Sequence, residues 1–162
     1  MIPNEFEYHA PASVDEAVRL LAEYSDDAKL LAGGHSLLPM MKLRFAEPAH
    51  LIDINNIAEL REIRIDGDRL HIGAMATENA IINSDLLREH CPLLCEAAKN
   101  ISDPQVRNRG TIGGDIAHGD PANDHPALML ACAAEFRLRG PNGERTVAAS
   151  EFLRGSSWTA LE

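Results

Sequence analysis

Aromatic residues are scarce. Phe, Trp and Tyr make up 4% of the 162 residues, so aliphatic side chains must fill whatever core the 45% hydrophobic content builds. Basic runs are missing as well. The net charge is −10, with Lys and Arg scattered along the chain, which argues against a nucleic-acid backbone as partner. An acidic chain that binds an anion must rely on local amide dipoles, because its overall field opposes the ligand. No apolar stretch approaches the ~18 residues of a membrane helix, and the N-terminus MIPNEFEYHA has neither a basic nor an apolar leader region. There are only three cysteines, Cys91, Cys95 and Cys132. An odd count without a leader reads as a reduced, soluble, cytoplasmic chain. The CPLLC stretch has no further ligands at metal-site spacing, so Cys91 and Cys95 read as small buried apolar groups.

The patterns that are present divide the chain in two. EFEYHAPASVDEAVRLLAEY predicts a short strand, a turn and a helix with a Ser13–Glu16 capping box and an apolar face of Val14, Ala17, Val18, Leu21 and Ala22. Ala28–Leu31 and the stretch from His50 predict two more strands, paired in parallel. After Ile57 the texture changes. Ile63, Ile65, a Gly67-Asp68 turn, Leu70 and Ile72 predict a hairpin, and the stretch from Thr77 predicts helix broken at Pro92. A second hairpin is expected around Pro141-Asn142-Gly143. A boundary near Ile57 thus separates a small α/β subdomain, residues 1–57, from an antiparallel α+β one, residues 58–162.

Two segments carry adjacent glycines: Leu31-Ala32-Gly33-Gly34-His35-Ser36-Leu37, and Thr111-Ile112-Gly113-Gly114-Asp115 within a longer stretch read as a loop. Glycine admits positive φ and lets a ligand approach the backbone, and successive amides then make an anion cradle. A helix starting near Leu37 or Leu38 would aim its N-terminus at the same spot. His35, Ser36 and Thr111 add side-chain donors. A glycine pair after a strand is more often just a tight turn. Neither segment is G-x-G-x-x-G or a P-loop, and Ser36 lacks a G-x-S-x-G setting, so it does not read as a hydrolase nucleophile.

LLAGGHSLLPMMKLR, RNRGTIGGDIAHGDPANDHPALMLACAAEFRL and the G-x-R-T-V and F-L-x-G endings together resemble the FAD-binding medium subunits of molybdenum hydroxylases. These form the xanthine dehydrogenase and aerobic carbon monoxide dehydrogenase group, and Gly-Gly-His-Ser is most similar to the carbon monoxide branch. The resemblance implies a PCMH-type FAD-binding fold of the α+β class, in which the two glycine segments embrace the FAD diphosphate and ribityl chain. It also implies that Ile101 packs near the cofactor and that Asp124 contacts the adenosine half. Asp124 reads equally as a helix N-cap. The implied partners are a molybdopterin-binding large subunit and a [2Fe–2S] small subunit in a dimer of heterotrimers. That complex would be cytoplasmic or associated with the inner face of the membrane, with electrons passing from the clusters through FAD to an acceptor. No residue of this chain is implied as catalytic. Family chains continue into a third segment over the flavin ring, whereas this sequence stops at Glu162, so weak FAD retention is expected. The alternatives are a docking fragment that does not hold FAD and an unrelated nucleotide-phosphate-binding enzyme.

No metal site is expected: His118, Asp120, Asp124 and His125 are spaced by Gly and Pro without ligand geometry. SLLPMMKL reads as core. Gly33→Val or Gly114→Val is expected to abolish FAD binding while leaving the apoprotein folded.

Overall fold

The structure, a computed structural model, describes residues 2–161. The chain begins with three parallel strands, β1 (Glu7–His9), β2 (Ala28–Leu31) and β3 (His50–Asp53), in the spatial order β1-β3-β2. Glu7 lies opposite His50, and Leu31 opposite Asp53. The helix α1 (Val14–Tyr24) connects β1 to β2, and α2 (Leu37–Lys42) lies between β2 and β3. Ser13 Oγ accepts from the Glu16 amide at 3.2 Å, as the capping box predicts. Glu16 Oε2 reaches the Ala12 amide at 3.0 Å, one residue before the cap itself. The buried stripe of α1 is Ala17 and Leu20, with Val14 and Leu21 flanking it, while Ala22 is exposed. The expected face was thus rotated: the helix settles so that Ala17 and Leu20 meet Ala28 and Ile52 of the sheet.

Beyond Ile57 come two hairpins and a run of short helices. The first hairpin is β4 (Ile63–Asp66) with β5 (Arg69–Ile72), Ile63 opposite Ile72. The predicted helical stretch is three helices, α3 (Glu78–Asn83), α4 (Asp85–His90) and α5 (Pro92–Asn100). Ser84 ends the first and caps the second by accepting from the Leu87 amide, and Pro92 opens the third. Then follow α6 (Pro104–Arg109), α7 (Ile112–His118) and α8 (Asp124–Ala131), the hairpin β6 (Glu135–Gly140) with β7 (Gly143–Ala148), α9 (Ala149–Phe152), and a small pair, β8 (Leu153–Gly155) and β9 (Trp158–Thr159).

Three apolar clusters hold these layers. Ala17, Leu20, Ala28, Ile52, Ile54, Ile57 and Met75 join α1 to the parallel sheet, with Leu60 packed against them. Leu31, Met41 and Leu51, with Leu37 and Leu38, anchor α2 beneath the first glycine segment, so Met41 is core as expected. The largest cluster runs from Ala76 to Ala160, and Phe152 meets Phe136 edge-to-face within it. No helix among the described residues is long and apolar enough to cross a membrane.

Candidate cofactor site

The C-terminal ends of β2 and β3 point to one place, where ligands bind in parallel sheets. β2 ends at Leu31, and Ala32 to Ser36 cross to α2. Gly34 adopts φ +81°, a conformation that explains glycine at this position. Among the described residues, the backbone amides of Gly33, Gly34, His35, Ser36 and Leu37 donate to no protein group. Ser36 and Leu37 stand at the N-cap and first position of α2, where helix amides are left open, and Gly33 to His35 extend that row backwards along the loop. Ser36 sits at the N-cap of α2 but its hydroxyl caps nothing, and His35 is exposed with Nδ1 3.3 Å from the Gly33 carbonyl. The Asn55 side chain fixes the entry to this loop by donating to the Ala32 carbonyl at 2.8 Å. Asn55 in turn is held by Asp53, whose other oxygen accepts from the Tyr8 hydroxyl at 2.7 Å. Partial burial pushes the Asp53 carboxyl up, but the Tyr8 and Asn55 hydrogen bonds outweigh it and leave the carboxyl below its usual range.

The second glycine segment is built differently, and the expectation of a loop with free amides is corrected here. Thr111 is the N-cap of α7, and Gly113, Gly114 and Asp115 lie in its first turns. The Ile112 amide donates to the Ala76 carbonyl at 3.0 Å, and the Gly113 amide to the Ala74 carbonyl at 2.9 Å. The Gly114 amide donates to Thr111 Oγ1 at 3.3 Å, so the hydroxyl expected as a ligand donor is a buried cap acceptor. These amides are spent on the fold. The glycines serve close packing instead: a Cβ on Gly113 would stand 2.6 Å from the Ala74 carbonyl oxygen.

The two segments touch. A Cβ on Gly33 would overlap the Arg109 carbonyl oxygen and lie 3.1 Å from Gly110 Cα, and one on Gly114 would lie 3.5 Å from Ala32 Cβ. This contact corrects a second expectation. Gly33→Val strikes backbone rather than empty space, so it disturbs the apoprotein as well as any ligand. Asp103 caps α6 by accepting from the Val106 and Gln105 amides, which holds its carboxyl below the usual range.

Behind the second segment lies a buried ionic group. His125 is fully buried, with Nδ1 3.0 Å from Asp115 Oδ2 and Nε2 3.4 Å from Glu78 Oε2. Asn123 Nδ2 donates to the other Asp115 oxygen at 2.6 Å. The His125–Glu78 contact is at ion-pair distance without hydrogen-bond alignment, leaving both atoms without a hydrogen bond among the described residues. Glu78 therefore acts on the imidazole by charge. Burial disfavours imidazolium, but the Asp115 and Glu78 carboxylates overcome it and raise the His125 pKa to about 9.

Ile101 and Asp124 stand apart from the glycines. Ile101 caps the C-terminus of α5, its carbonyl accepting from Arg107 Nη1 at 3.1 Å. Asp124 is exposed at the start of α8 and lines an open hollow with Ala97, Asn100, Ala127, Leu128 and Ala131. Asn123, not Asp124, occupies the N-cap position, without a side-chain cap. Of the residues set aside as a metal group, His125 points to Asp115 and Glu78.

The family described as the FAD binding domain in molybdopterin dehydrogenase matches residues 4–162. The chain belongs to this family. The carbon monoxide dehydrogenase medium chain of Hydrogenophaga pseudoflava is 66% identical over 162 residues, covering 100% of this chain and 56% of that relative. The corresponding medium chain of Afipia carboxidovorans is 49% identical over the same lengths. Carbon monoxide dehydrogenase from Hydrogenophaga pseudoflava, solved without the Mo-pyranopterin moiety of its molybdenum cofactor, superposes with a TM-score of 0.98 at 67% identity, covering 100% of this chain and 56% of that one. The chain spans about half the length of the curated relatives it matches. FAD is the cofactor of the family, and the α+β fold expected from the resemblance is the one found.

The first segment fits such a cofactor, since a diphosphate is satisfied by a row of spare amides. Sequence reasoning missed Tyr8, Asp53 and Asn55, which hold the loop's entry. The signal available was Asp53 before Asn55, an arrangement that favours an Asx turn.

Proposed function

We propose that this chain is the FAD-binding part of the electron-transfer subunit of a molybdenum hydroxylase of the carbon monoxide dehydrogenase type. The observation that carries this reading is the row of unspent amides from Gly33 to Leu37 in a protein of net charge −10. In an acidic chain, neutral donors hold an anion without a cationic cluster. In this reading Gly33 and Gly34 offer their backbone amides to the diphosphate, and the Ser36 hydroxyl and His35 ring add donors beside it. Leu31, Ala32 and Leu37 shape the floor. Thr111, Ile112, Gly113, Gly114 and Asp115 are read as the opposite side of the site, with Gly114 set against Ala32 of the loop. Ile101 and Asp124 are read as contacts to the outer, adenosine part of the ligand.

Bound at this loop, FAD would supply the redox chemistry that links [2Fe–2S] clusters to an acceptor. The chain's own residues bind, orient and shield. The partners in this reading are a molybdopterin-binding large subunit and a [2Fe–2S] small subunit, assembled as a dimer of heterotrimers in the cytoplasm or at the inner face of the membrane. We also read the chain as two FAD-binding subdomains, residues 1–57 and 58–162. The parallel sheet in the first and the antiparallel hairpins in the second support the division, although Leu60 and Met75 pack into the first cluster.

Titration of FAD into the purified protein, followed by flavin fluorescence, tests the reading. One-to-one saturable binding is expected, with ADP competing because it carries the same diphosphate. Absence of saturation, or competition by riboflavin but not by ADP, would overturn it.

A further inference from the structure

On the far edge of the parallel sheet, away from the glycine segments in sequence, three side chains converge that the cofactor reading does not use. Glu7 and His9 are two residues apart on β1, so they share one face of the strand. His50 begins β3, directly opposite Glu7. His9 Nε2 lies 3.2 Å from His50 Nδ1, and Glu7 Oε2 lies 3.6 Å from the same nitrogen. All three donor atoms fall within 4.8 Å of one another.

We propose that Glu7, His9 and His50 form a binding site for a borderline first-row divalent cation, Zn²⁺ being the best match. Zinc holds imidazole and carboxylate ligands at about 2.0–2.2 Å in tetrahedral geometry, which separates neighbouring ligand atoms by about 3.3–3.6 Å. Both measured separations from His50 lie near that edge length. Two imidazoles and one carboxylate are a donor set that suits zinc, copper and nickel better than magnesium or calcium. Either ring nitrogen can ligate. In the His9–His50 contact one ring nitrogen donates its N–H and the other accepts; with both nitrogens deprotonated, a cation at the point of convergence would take both lone pairs. Tyr24 stacks on His50 with centroids 3.7 Å apart and planes 8° apart, which holds the imidazole plane fixed. The Glu7 side chain is 73% exposed, so water has access to the fourth position. The bound ion would staple the edge strand β1, only three residues long, to the centre of the sheet.

The test uses the purified protein and Co²⁺ as a spectroscopic probe. The d–d bands of tetrahedral Co²⁺ are expected at one equivalent, bleached by added Zn²⁺, and Zn²⁺ should raise Tm by mass action on the folded state. His50→Ala and His9→Ala should abolish the bands. Because Glu7 is exposed, Glu7→Gln will fold, and it should weaken binding by at least the ~10-fold that changes outside the ligand shell already cost. His90→Ala and His118→Ala should leave the bands unchanged. No tetrahedral spectrum, unchanged binding in Glu7→Gln, or loss of binding in His90→Ala or His118→Ala would each overturn the proposal.

Discussion

The two glycine pairs look alike in sequence and are opposites in structure. Gly33-Gly34 sits in a loop where five amides in a row have no protein partner among the described residues. Gly113-Gly114 sits in the first turn of α7, where Thr111, Ala74 and Ala76 take the amides from Ile112 to Gly114. Both pairs let backbone approach: Gly113 packs on Ala74, Gly33 packs on Arg109 and Gly110, and Gly114 lies close to Ala32. At Gly33, as at Gly113, the missing side chain makes room for backbone; what separates the pairs is that the amides from Gly33 to Leu37 are unspent while those from Ile112 to Gly114 are paired.

The sharpest way to break this contrast is to fill the second site. In Gly113→Val the new side chain meets the Ala74 backbone, which cannot swing aside. A loss of about 3 kcal/mol or more is expected, visible as a lower urea midpoint before any ligand is added. Gly33→Val should also destabilise the apoprotein, because its Cβ meets the Arg109 carbonyl. A Gly33→Val protein with wild-type stability and no FAD binding would show that the brace between the segments is unimportant.

The buried ionic group behind α7 comes next. His125 gains charge stabilisation on folding, since its pKa rises from 6.5 to about 9. A raised histidine pKa contributes stability that is fully present below about pH 6.5 and is lost as pH climbs through about 9, on the order of 3 kcal/mol in total. Chemical denaturation at pH 7 and at pH 9.5 should show the decline. His125→Leu should remove that dependence and cost about 3–5 kcal/mol at pH 7, because Glu78 is left buried without a cation. The wild-type decline persisting in His125→Leu would assign it to other groups.

Strands, hairpins and the Ser13 cap were legible because each is signalled within a few residues: Leu30 and Leu31 before two glycines, Gly67-Asp68 between alternating isoleucines. The helical state of Gly113 and Gly114 was not legible. Two glycines predict no helix, and what imposes one is pairing of Ile112 and Gly113 with Ala76 and Ala74 across the chain. The role of His125 as the centre of a buried ionic group was not legible for the same reason, since its partner Glu78 lies on another helix. In the first segment the local signals sufficed, because strand end, turn and helix start follow directly in sequence. The clamp of Asn55 on the Ala32 carbonyl did not show, being a contact between the segments that follow β3 and β2.

A milder change sharpens the first site alone. Gly34→Ala places a Cβ 2.9 Å from Leu38 Cδ1, the end of a flexible side chain that can move. The strain is in the backbone, where φ +81° costs an L-residue about 1–2 kcal/mol. The loop relieves that strain by shifting the very amides that await the diphosphate. Stability should fall slightly, and FAD affinity by roughly tenfold, about 1.4 kcal/mol. Unchanged affinity with the same small loss of stability would mean that the Gly34 backbone is not part of the cradle.

The smallest expected effect is that of salt. If neutral amides hold the diphosphate, screening has few fixed charges to act on, and FAD affinity should change by less than about threefold between roughly 0.05 and 0.5 M salt. The cations near the segments are not arranged to do otherwise. Arg107 donates to the Ile101 and Ser102 carbonyls at 3.1 and 2.9 Å, which commits it to the turn before α6. Lys42 closes the last turn of α2, at the opposite end from the amides. Arg109 is the exposed cation beside the contact between the segments, near enough to Asp53 to interact with its charge. A steep fall in affinity with salt that disappears in Arg109→Gln would make Arg109 the anion anchor. The two glycine segments would then share one function after all, with the second segment supplying the charge and the first only the room.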